Sequence, residues 1–208
     1  MCGILAVLGL TVGLGLPAGR VPDAVRELVP VIARRGPDGQ LSCEDPAWRG
    51  RLWMHAAVLH LRGEVMCGQP ARDAAGNALC WNGQVFGGSV PVASSESDTA
   101  RVLARLAEAC AAHPVGSSAR DAAVAAVLGG VEGPFAFVFF DAAAGALWFG
   151  RDRLGRRSLL LRAPAAGSAE PYVLASALGA VPPGGAPAQA EHGKDEACSG
   201  AAPRPGAG

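Results

Sequence analysis

Met1-Cys2-Gly3-Ile4-Leu5-Ala6-Val7-Leu8-Gly9-Leu10 opens the chain, and this stretch decides the fold. Residues 2–10 are short and apolar on both faces, which is typical of a strand covered on both sides. No positive segment precedes the uncharged run 2–19, and glycines interrupt it. We therefore expect a buried strand entering a glycine-rich turn over 13–19, rather than a signal peptide or a membrane span.

The overall composition limits the classes of protein to consider. The 208 residues, half of them hydrophobic, suffice for one domain of ordinary size. Eighteen basic residues balance eighteen acidic ones, so no basic field points to nucleic acid or an anionic membrane as a partner. The six cysteines form no C-x-x-C pair, which favours reduced thiols in an intracellular, cytoplasmic protein with no metal site. No Gly-rich phosphate loop occurs either, and we expect no cofactor.

The order of predicted elements indicates mixed α+β layers. After the first strand we expect a helix that starts at Pro22-Asp23 and is kinked or ended near Val29 by Pro30. Further strands are predicted over 52–62, 78–86, 134–140, 146–151, 158–162 and 172–176, and further helices from Ser97-Asp98 and over 119–128. From Ala180 the chain lacks large apolar side chains, so we expect a domain over 1–179 and a disordered tail over 180–208.

Cys2 is the candidate nucleophile. Removal of Met1, which a small second residue permits, would leave a cysteine with a free α-amine. An α-amine ordinarily titrates at about 8 and a thiol at about 8.5, so this amine can take the thiol proton without a histidine. A buried strand residue would explain an isolated Cys2 equally well, so the signal needs support.

Support comes from six short motifs and their order. They are Met1-Cys2-Gly3-Ile4, Arg35-Gly36-Pro37-Asp38, His60-Leu61-Arg62-Gly63, Trp81-Asn82-Gly83, Ser97-Asp98 and Gly150-Arg151-Asp152. In this order, from Met1 to about Ser176, they resemble the class II glutamine amidotransferase domain of the asparagine synthetases. The stretches 60–63, 147–152 and 155–160 resemble more narrowly the asparagine synthetase domain-containing proteins. One such motif is weak evidence, whereas six in register are strong evidence.

The resemblance implies a fold and a reaction. The fold is that of the N-terminal nucleophile hydrolases, four α/β/β/α layers with two stacked antiparallel sheets between helices. Cys2 would attack the side-chain amide of glutamine, releasing ammonia and leaving a thioester that water hydrolyses to glutamate. Asn82 and Gly83 would form the oxyanion hole, Arg62 would bind the substrate α-carboxylate, and Asp98 would bind its ammonium.

Each of these residues also has a structural interpretation. Arg62 could be a solvated charge at a strand edge, Asp98 could favour the start of its helix, and Asn82-Gly83 could be a hairpin turn. Only the joint order of the motifs favours the functional interpretation. The four histidines, at 55, 60, 113 and 192, lack a metal-ligand arrangement and are assigned structural or exposed places.

Two departures from the family pattern open alternatives. Gln84 stands where asparagine synthetases have a glutamate that helps to hold the substrate ammonium, a loss worth about 1 to 2 kcal/mol of affinity. The Ser-Gly-Gly-x-Asp-Ser loop of their synthetase domain does not occur. We therefore expect a glutaminase domain that feeds asparagine biosynthesis through a synthetase module or a partner chain. The alternatives are a weakened or dead domain with an interaction or regulatory role, and a hydrolase of another amide.

Overall fold

The computed structural model describes residues 1–9, 23–44, 52–168 and 170–179. The predicted turn over 13–19 and the predicted tail over 180–208 lie outside these residues. The strands of the described part are β1 (Gly3–Leu8), β2 (Gly39–Glu44), β3 (Leu52–Val58), β4 (Ala71–Arg72), β5 (Ala78–Gly83), β6 (Gly87–Gly88), β7 (Val131–Glu132), β8 (Phe135–Asp141), β9 (Ala146–Arg151), β10 (Leu160–Arg162) and β11 (Tyr172–Ala175). Its helices are α1 (Asp23–Arg26), α2 (Val29–Ala33), α3 (Asp98–Ala111) and α4 (Ser118–Gly129).

β1 is the central strand of a five-stranded sheet with the order β10-β11-β1-β3-β2. It runs antiparallel to both neighbours, so Leu5 lies opposite Ala175 of β11 on one side and opposite His55 of β3 on the other. Both edges of the strand are thereby paired. Cys2 directly precedes this strand, which fixes the position of the candidate nucleophile at one end of the sheet.

A second, four-stranded sheet has the order β4-β5-β8-β9. The predicted hairpin between β8 and β9 is present, with Asp141 opposite Ala146 where the chain reverses. A small two-stranded sheet, β6-β7, follows the end of β5 and precedes β8. β5 and β8 are the middle strands of the four-stranded sheet, so the candidate oxyanion residues lie at the end of a well-supported strand.

The two sheets stack face to face and helices cover their outer faces. Side chains alternate along β1, so Ile4 joins the core between the sheets while Leu5 joins the core under α1 and α2. Along β8, Val138 faces the first of these cores while Phe137 packs beneath α3 and α4. Three core layers separate four structural layers, which confirms the predicted α/β/β/α arrangement. None of the helices in the described part of the chain has the length and apolar character needed to cross a membrane.

Two predicted strands end earlier than expected, because tertiary hydrogen bonds hold the loops that follow them. The strand predicted over 52–62 ends at Val58, because the next residues turn away from the sheet and Asp38 accepts the backbone N–H of His60. The strand predicted over 78–86 ends at Gly83. Beyond it, the N–H of Val85 donates to the carboxylate of Asp98 rather than to a neighbouring strand. Both loops acquire tertiary hydrogen bonds that a sequence pattern does not reveal.

The helix predicted from Pro22-Asp23 is two short helices. α1 ends at Arg26, and Pro30 lies in the first turn of α2 rather than at the end of the helix before it. Proline is tolerated there because its missing N–H has no helical partner to lose. The edge strand β2 was not predicted, since its sequence Gly39–Glu44 is polar and only partly buried.

A buried ion pair joins α4 to the end of β8. Arg120 donates from Nε and Nη2 to the two carboxylate oxygens of Asp141, both at 2.7 Å, and from Nη1 to the carbonyls of Cys110 and His113. Burial alone would raise the pKa of Asp141, but the hydrogen bonds from Arg120 and from a backbone N–H hold it below the ordinary value. Its contribution to stability is therefore present above the unfolded-state pKa and is lost as the pH falls through the lowered folded-state value.

We expect Arg120→Met to lower the free energy of unfolding by about 3 to 5 kcal/mol, because it leaves the Asp141 carboxylate buried without its partner. Urea unfolding followed by circular dichroism measures the change. Arg105→Met, which removes a surface pair with Glu108, is the matched control and should cost less than about 1 kcal/mol. Equal losses in the two variants would contradict the structural role of the buried pair.

Candidate active site

The thiol of Cys2 is held by the loop that follows β3. Its Sγ accepts the backbone N–H of Leu59 at 3.4 Å and lies 3.7 Å from the Leu59 carbonyl oxygen, to which it can donate. The carbonyl oxygen of Cys2 accepts a hydrogen bond from Arg35 Nε at 3.3 Å. Both the side chain and the backbone of Cys2 are therefore fixed by residues distant in sequence.

The Arg-Gly-Pro-Asp segment explains how Arg35 reaches this position. A Cβ on Gly36 would lie 2.3 Å from the backbone carbon of Ala57, so only glycine lets the segment lie flat against β3. Asp38 then accepts the N–H of His60 at 2.7 Å and ties the segment to the loop after β3. The motif is thus a structural support that places a guanidinium beside the candidate nucleophile.

Asn82 and Gly83 are the last two residues of β5, opposite Ala136 and Phe135 of β8. Their interpretation as a hairpin turn is therefore wrong. The side chain of Asn82 is on the face of β5 that meets the other sheet, and its Nδ2 is buried without a hydrogen-bond partner among the described residues. A buried amide nitrogen in this state is available to a ligand. A Cβ on Gly83 would lie 2.6 Å from the Cβ of Phe135, which explains why a glycine is required there.

The direction of the Gly83 amide follows from the strand pairing. Gln84 donates its N–H to the Pro134 carbonyl at 3.0 Å, on the β8 side of the strand. Since neighbouring residues of an antiparallel strand point their N–H groups to opposite edges, the Gly83 N–H points away from β8. Trp81, two residues earlier in β5, points its N–H to the same edge as Gly83, and it donates to the side-chain oxygen of Gln69 at 2.7 Å. Gly83 therefore directs its amide to the edge where the cleft lies.

Arg62 and Asp98 form an ion pair with 3.2 Å between Nη1 and Oδ1. Arg62 also donates to the carbonyls of Val85 at 2.5 Å and Val92 at 2.8 Å, so it is not a solvated charge at a strand edge. Asp98 is the first residue of α3, where an aspartate favours the start of a helix. Its Oδ2 also accepts the N–H of Val85 at 3.2 Å. The chain thus fixes both side chains without any ligand.

The environment of Asp98 affects its charge. Burial raises the pKa of its carboxyl above the ordinary value, although the N–H of Val85 and the charge of Arg62 oppose that shift. Asp98 consequently loses its negative charge at a higher pH than an ordinary aspartate as a solution is acidified. A cationic ligand bound to this carboxylate would be released at correspondingly milder acidity.

All six residues singled out in the sequence line one cleft, which we call the Cys2 cleft: Cys2, Arg62, Asn82, Gly83, Gln84 and Asp98. The centre of a water molecule can move through about 50 Å³ of it. That is room for a few waters or for one small polar molecule. The sequence-predicted residues are thus brought together, while their chemical roles belong to the proposal below.

The sequence analysis missed other residues that line the Cys2 cleft, among them Leu59, His60, Gln69, Thr99 and Arg157. His60, which was assigned a structural or exposed place, has a buried Nε2 with no partner among the described residues. Gln69 is tied to α3, since its Nε2 donates to Thr99 Oγ1 at 2.9 Å. Arg157 lies in the stretch 155–160, which resembles the asparagine synthetase domain-containing proteins, but the sequence did not indicate a role for this arginine.

Two of the buried cysteines, Cys80 and Cys110, are poor candidates for a nucleophile. Burial raises the pKa of the Cys80 thiol well above its ordinary value. Burial, assisted by the nearby Asp141, raises the pKa of the Cys110 thiol to about 12. Cys2 differs because its side chain is partly exposed at the cleft. Within the described residues, no group of three His, Cys, Asp or Glu side chains could hold a metal ion.

Asp152 gives the Gly-Arg-Asp motif a structural explanation. Its carboxylate accepts the backbone N–H groups of Phe135 at 3.0 Å, Leu154 at 3.0 Å and Arg156 at 3.1 Å. These bonds hold the turn after β9 against the start of β8, opposite Gly83. The motif therefore supports the strand that carries the oxyanion residues without lining the cleft.

Comparisons with known proteins agree with this geometry, although no family model matches the chain. The chain is 32% identical over 160 residues to asparagine synthetase domain-containing protein 1 of Bos taurus, an alignment covering 77% of this chain and 22% of that protein. It is 35% identical over 165 residues to the protein of the same name from Gallus gallus, with 77% and 23% covered. The chain therefore spans about a fifth of the length of the curated relatives it matches.

The solved structures show a similar fold. The glutamine phosphoribosylpyrophosphate (PRPP) amidotransferase of B. subtilis superposes with a TM-score of 0.56 at 15% identity, covering 84% of this chain and 42% of that chain. At that identity the similarity establishes the fold alone, which is that of an N-terminal nucleophile amidotransferase. By sequence and by fold, then, the chain is a homologue of the asparagine synthetase domain-containing proteins and has the amidotransferase fold of the N-terminal nucleophile hydrolases.

Proposed function

We propose that residues 1–179 form a glutamine amidotransferase domain that hydrolyses the glutamine side-chain amide to glutamate and ammonia. One observation carries the proposal: Cys2, Asn82 with its unpartnered buried Nδ2, and Gly83 all line one small cleft. A nucleophile with two donors beside it is the arrangement that acyl transfer needs. The homology to asparagine synthetase domain proteins supports the same reaction class.

The proposed reaction begins after removal of Met1. The α-amine of Cys2 takes the thiol proton, and Sγ attacks the amide carbon of glutamine to form the S–C bond. Asn82 Nδ2 and Gly83 N–H bind the oxyanion of the tetrahedral intermediate. The C–N bond breaks as the protonated amine gives its proton to the leaving nitrogen, which departs as ammonia. Water then attacks the thioester, releasing glutamate and restoring the thiol.

The Arg62–Asp98 pair supports an amino acid as the substrate. Opposite charges 3.2 Å apart in a small cleft complement the adjacent α-carboxylate and α-ammonium of a zwitterion. The planar guanidinium of Arg62 suits the carboxylate, and Asp98 suits the ammonium. Because Arg62 is already held by the carbonyls of Val85 and Val92, it needs little ordering when substrate binds.

Substitution of Gln84 tests how tightly the cleft binds the α-ammonium of the substrate. Gln84→Glu should lower KM about threefold to tenfold and leave kcat nearly unchanged, because the contact acts equally on ground and transition states. Steady-state assays of ammonia across glutamine concentrations measure both constants. Gln40→Glu, in β2 and outside the cleft lining, is the matched control and should change neither.

Other outcomes for Gln84→Glu favour the alternatives. Ammonia from neither the original nor the changed protein would favour a dead domain with an interaction or regulatory role. A fall in activity would indicate that the pocket suits the amide and that the substrate is another amide without a free α-ammonium.

We also propose that the ammonia serves asparagine biosynthesis. The relatives that this chain matches are four to five times as long as the matched segment, and they are named for an asparagine synthetase domain. A synthetase module or a partner chain would accept the ammonia. A coupled assay for ammonia and glutamate, run on protein whose mass shows that it begins at Cys2, tests the hydrolysis on which this role depends.

A further inference from the structure

Arg157 lies against the amino terminus of the chain. Its Nη1 donates to Met1 Sδ at 3.0 Å, and its side chain lines the cleft together with Cys2. Its Nε is buried without a hydrogen-bond partner among the described residues. A guanidinium that is partly buried and bonded only to a thioether in the described part of the chain is an unusual placement, since such groups are ordinarily paired.

A second guanidinium, that of Arg35 in the Arg-Gly-Pro-Asp segment, also lies beside Cys2. Its Nε donates to the Cys2 carbonyl, and its Nη2 is buried without a partner among the described residues. Burial lowers the pKa of Arg35, a negative charge on Cys2 opposes that shift, and the charge of Arg157 adds to it. Arg35, Arg157 and the Cys2 thiol are therefore close enough to influence one another's charge.

No carboxylate neutralises these two arginines within the described ranges 1–9, 23–44, 52–168 and 170–179. Neither makes an ion pair there, and the acidic residue of the cleft lining, Asp98, is tied to Arg62. The other titratable groups of the lining are the α-amine of Met1, the ring of His60 and the thiol of Cys67, while Asp38 is engaged by the backbone of His60. Two guanidiniums without a carboxylate partner among the described residues therefore lie near Cys2.

We propose that Arg157 is a positioning residue that favours the singly protonated form of the N-terminal cysteine, in which the α-amine and the thiol share one proton, over the form with both an ammonium and a thiol. The inference rests on the proposed function, because it requires that Met1 is removed and that Cys2 is the nucleophile. Loss of Met1 deletes the thioether that Arg157 contacts and creates an α-amine in the same place. A nearby positive charge disfavours the form with both an ammonium and a thiol, which carries one more positive charge. The first proton therefore passes to solvent at lower pH, and the second remains on the amine and thiol for transfer to the leaving nitrogen.

The size of the effect follows from the distance. Met1 Sδ is five covalent bonds from the Cys2 nitrogen, so Arg157 Nη1 lies within about 9 Å of that nitrogen. A unit charge at this range in a partly exposed site should shift the pH profile of Cys2 reactivity by roughly half a pH unit to one unit. On the acidic side of the profile, that shift corresponds to about threefold to tenfold in rate.

Alkylation of Cys2 by iodoacetamide tests the proposal without relying on glutamine. The rate is measured by peptide mapping from pH 5.5 to 9.5 on protein whose intact mass shows that it begins at Cys2. Arg157→Met should move the midpoint up by roughly half a pH unit to one unit, with rates converging at high pH. Arg157→Lys should retain the original midpoint, because it keeps the charge. Arg153→Met, an exposed arginine of the same loop, is the matched control and should leave the profile unchanged.

Two results would overturn the proposal. The first is a midpoint in Arg157→Met that coincides with that of the original protein; Arg157→Gln gives the same test if the methionine variant does not fold. The second is a shift in Arg157→Lys as large as that in Arg157→Met, which would mean that charge is not the cause. Failure of the proposed glutaminase would instead show as absent ammonia together with an intact alkylation profile, so the two failures are distinguishable.

Discussion

Protein carrying Cys2→Ala is expected to release no ammonia from glutamine above background, a loss of about 10⁴-fold or more in kcat. The alanine keeps the α-amine after Met1 removal and keeps the strand, so only the nucleophilic sulfur is lost. The fold should survive, because Cys2 precedes β1 and is partly exposed. An ammonia-coupled assay with circular dichroism on the same sample measures activity and folding together.

A second thiol in the cleft provides the control for this result. Cys67 lines the Cys2 cleft, so Cys67→Ala should retain most of the activity if the thiol of Cys2 is the nucleophile. A glutamine-analogue electrophile should label Cys2 and spare Cys80 and Cys110, whose thiols are buried. Labelling at Cys67 or Cys80, together with an active Cys2→Ala protein, would refute the assignment.

The second large effect is expected at Asn82. Asn82→Ala should lower kcat about a hundredfold with little change in KM, because an oxyanion donor strengthens its bond as negative charge develops. The buried Nδ2 of Asn82 has no partner to lose among the described residues, so its removal should cost the fold less than the loss of a satisfied amide. Steady-state kinetics with a thermal melt measure the two consequences separately.

Arg62→Ala provides the comparison for Asn82→Ala. It removes a group assigned to substrate binding, so it should mainly raise KM. If the two variants show the same change in kcat and KM, the division between transition-state stabilisation and binding is wrong.

The mixed α+β layers were predictable from the residues because strand and helix periods are local signals, whereas the four-layer α/β/β/α arrangement was implied by the resemblance. The alternation of side chains along β8 and the two apolar faces of β1 follow directly from the period of a strand, and they correspond to the three cores observed. The motif order likewise predicted which six residues would meet. The edge strand β2 escaped prediction because it is polar and its pairing with β3 is decided by tertiary context.

The parts of the site that were not predictable depend on contacts between distant segments. Leu59 binds the Cys2 thiol only because the chain leaves the sheet after Val58. Arg62 and Asp98 were predicted to bind opposite ends of a substrate, whereas the structure also shows them bound to each other across 36 residues of sequence. No periodicity or propensity encodes such a pair, since it forms when the loop after β3 docks on the start of α3.

Ammonia and glutamate release from glutamine, measured on protein whose intact mass shows that it begins at Cys2, tests the central claim most directly. We predict equimolar release of both products, saturable in glutamine. On acidification the affinity for glutamine should fall at a higher pH than an ordinary aspartate would give, because burial raises the pKa of Asp98. A folded protein with a verified Cys2 terminus that releases neither product at any glutamine concentration would contradict the claim that this cleft hydrolyses glutamine.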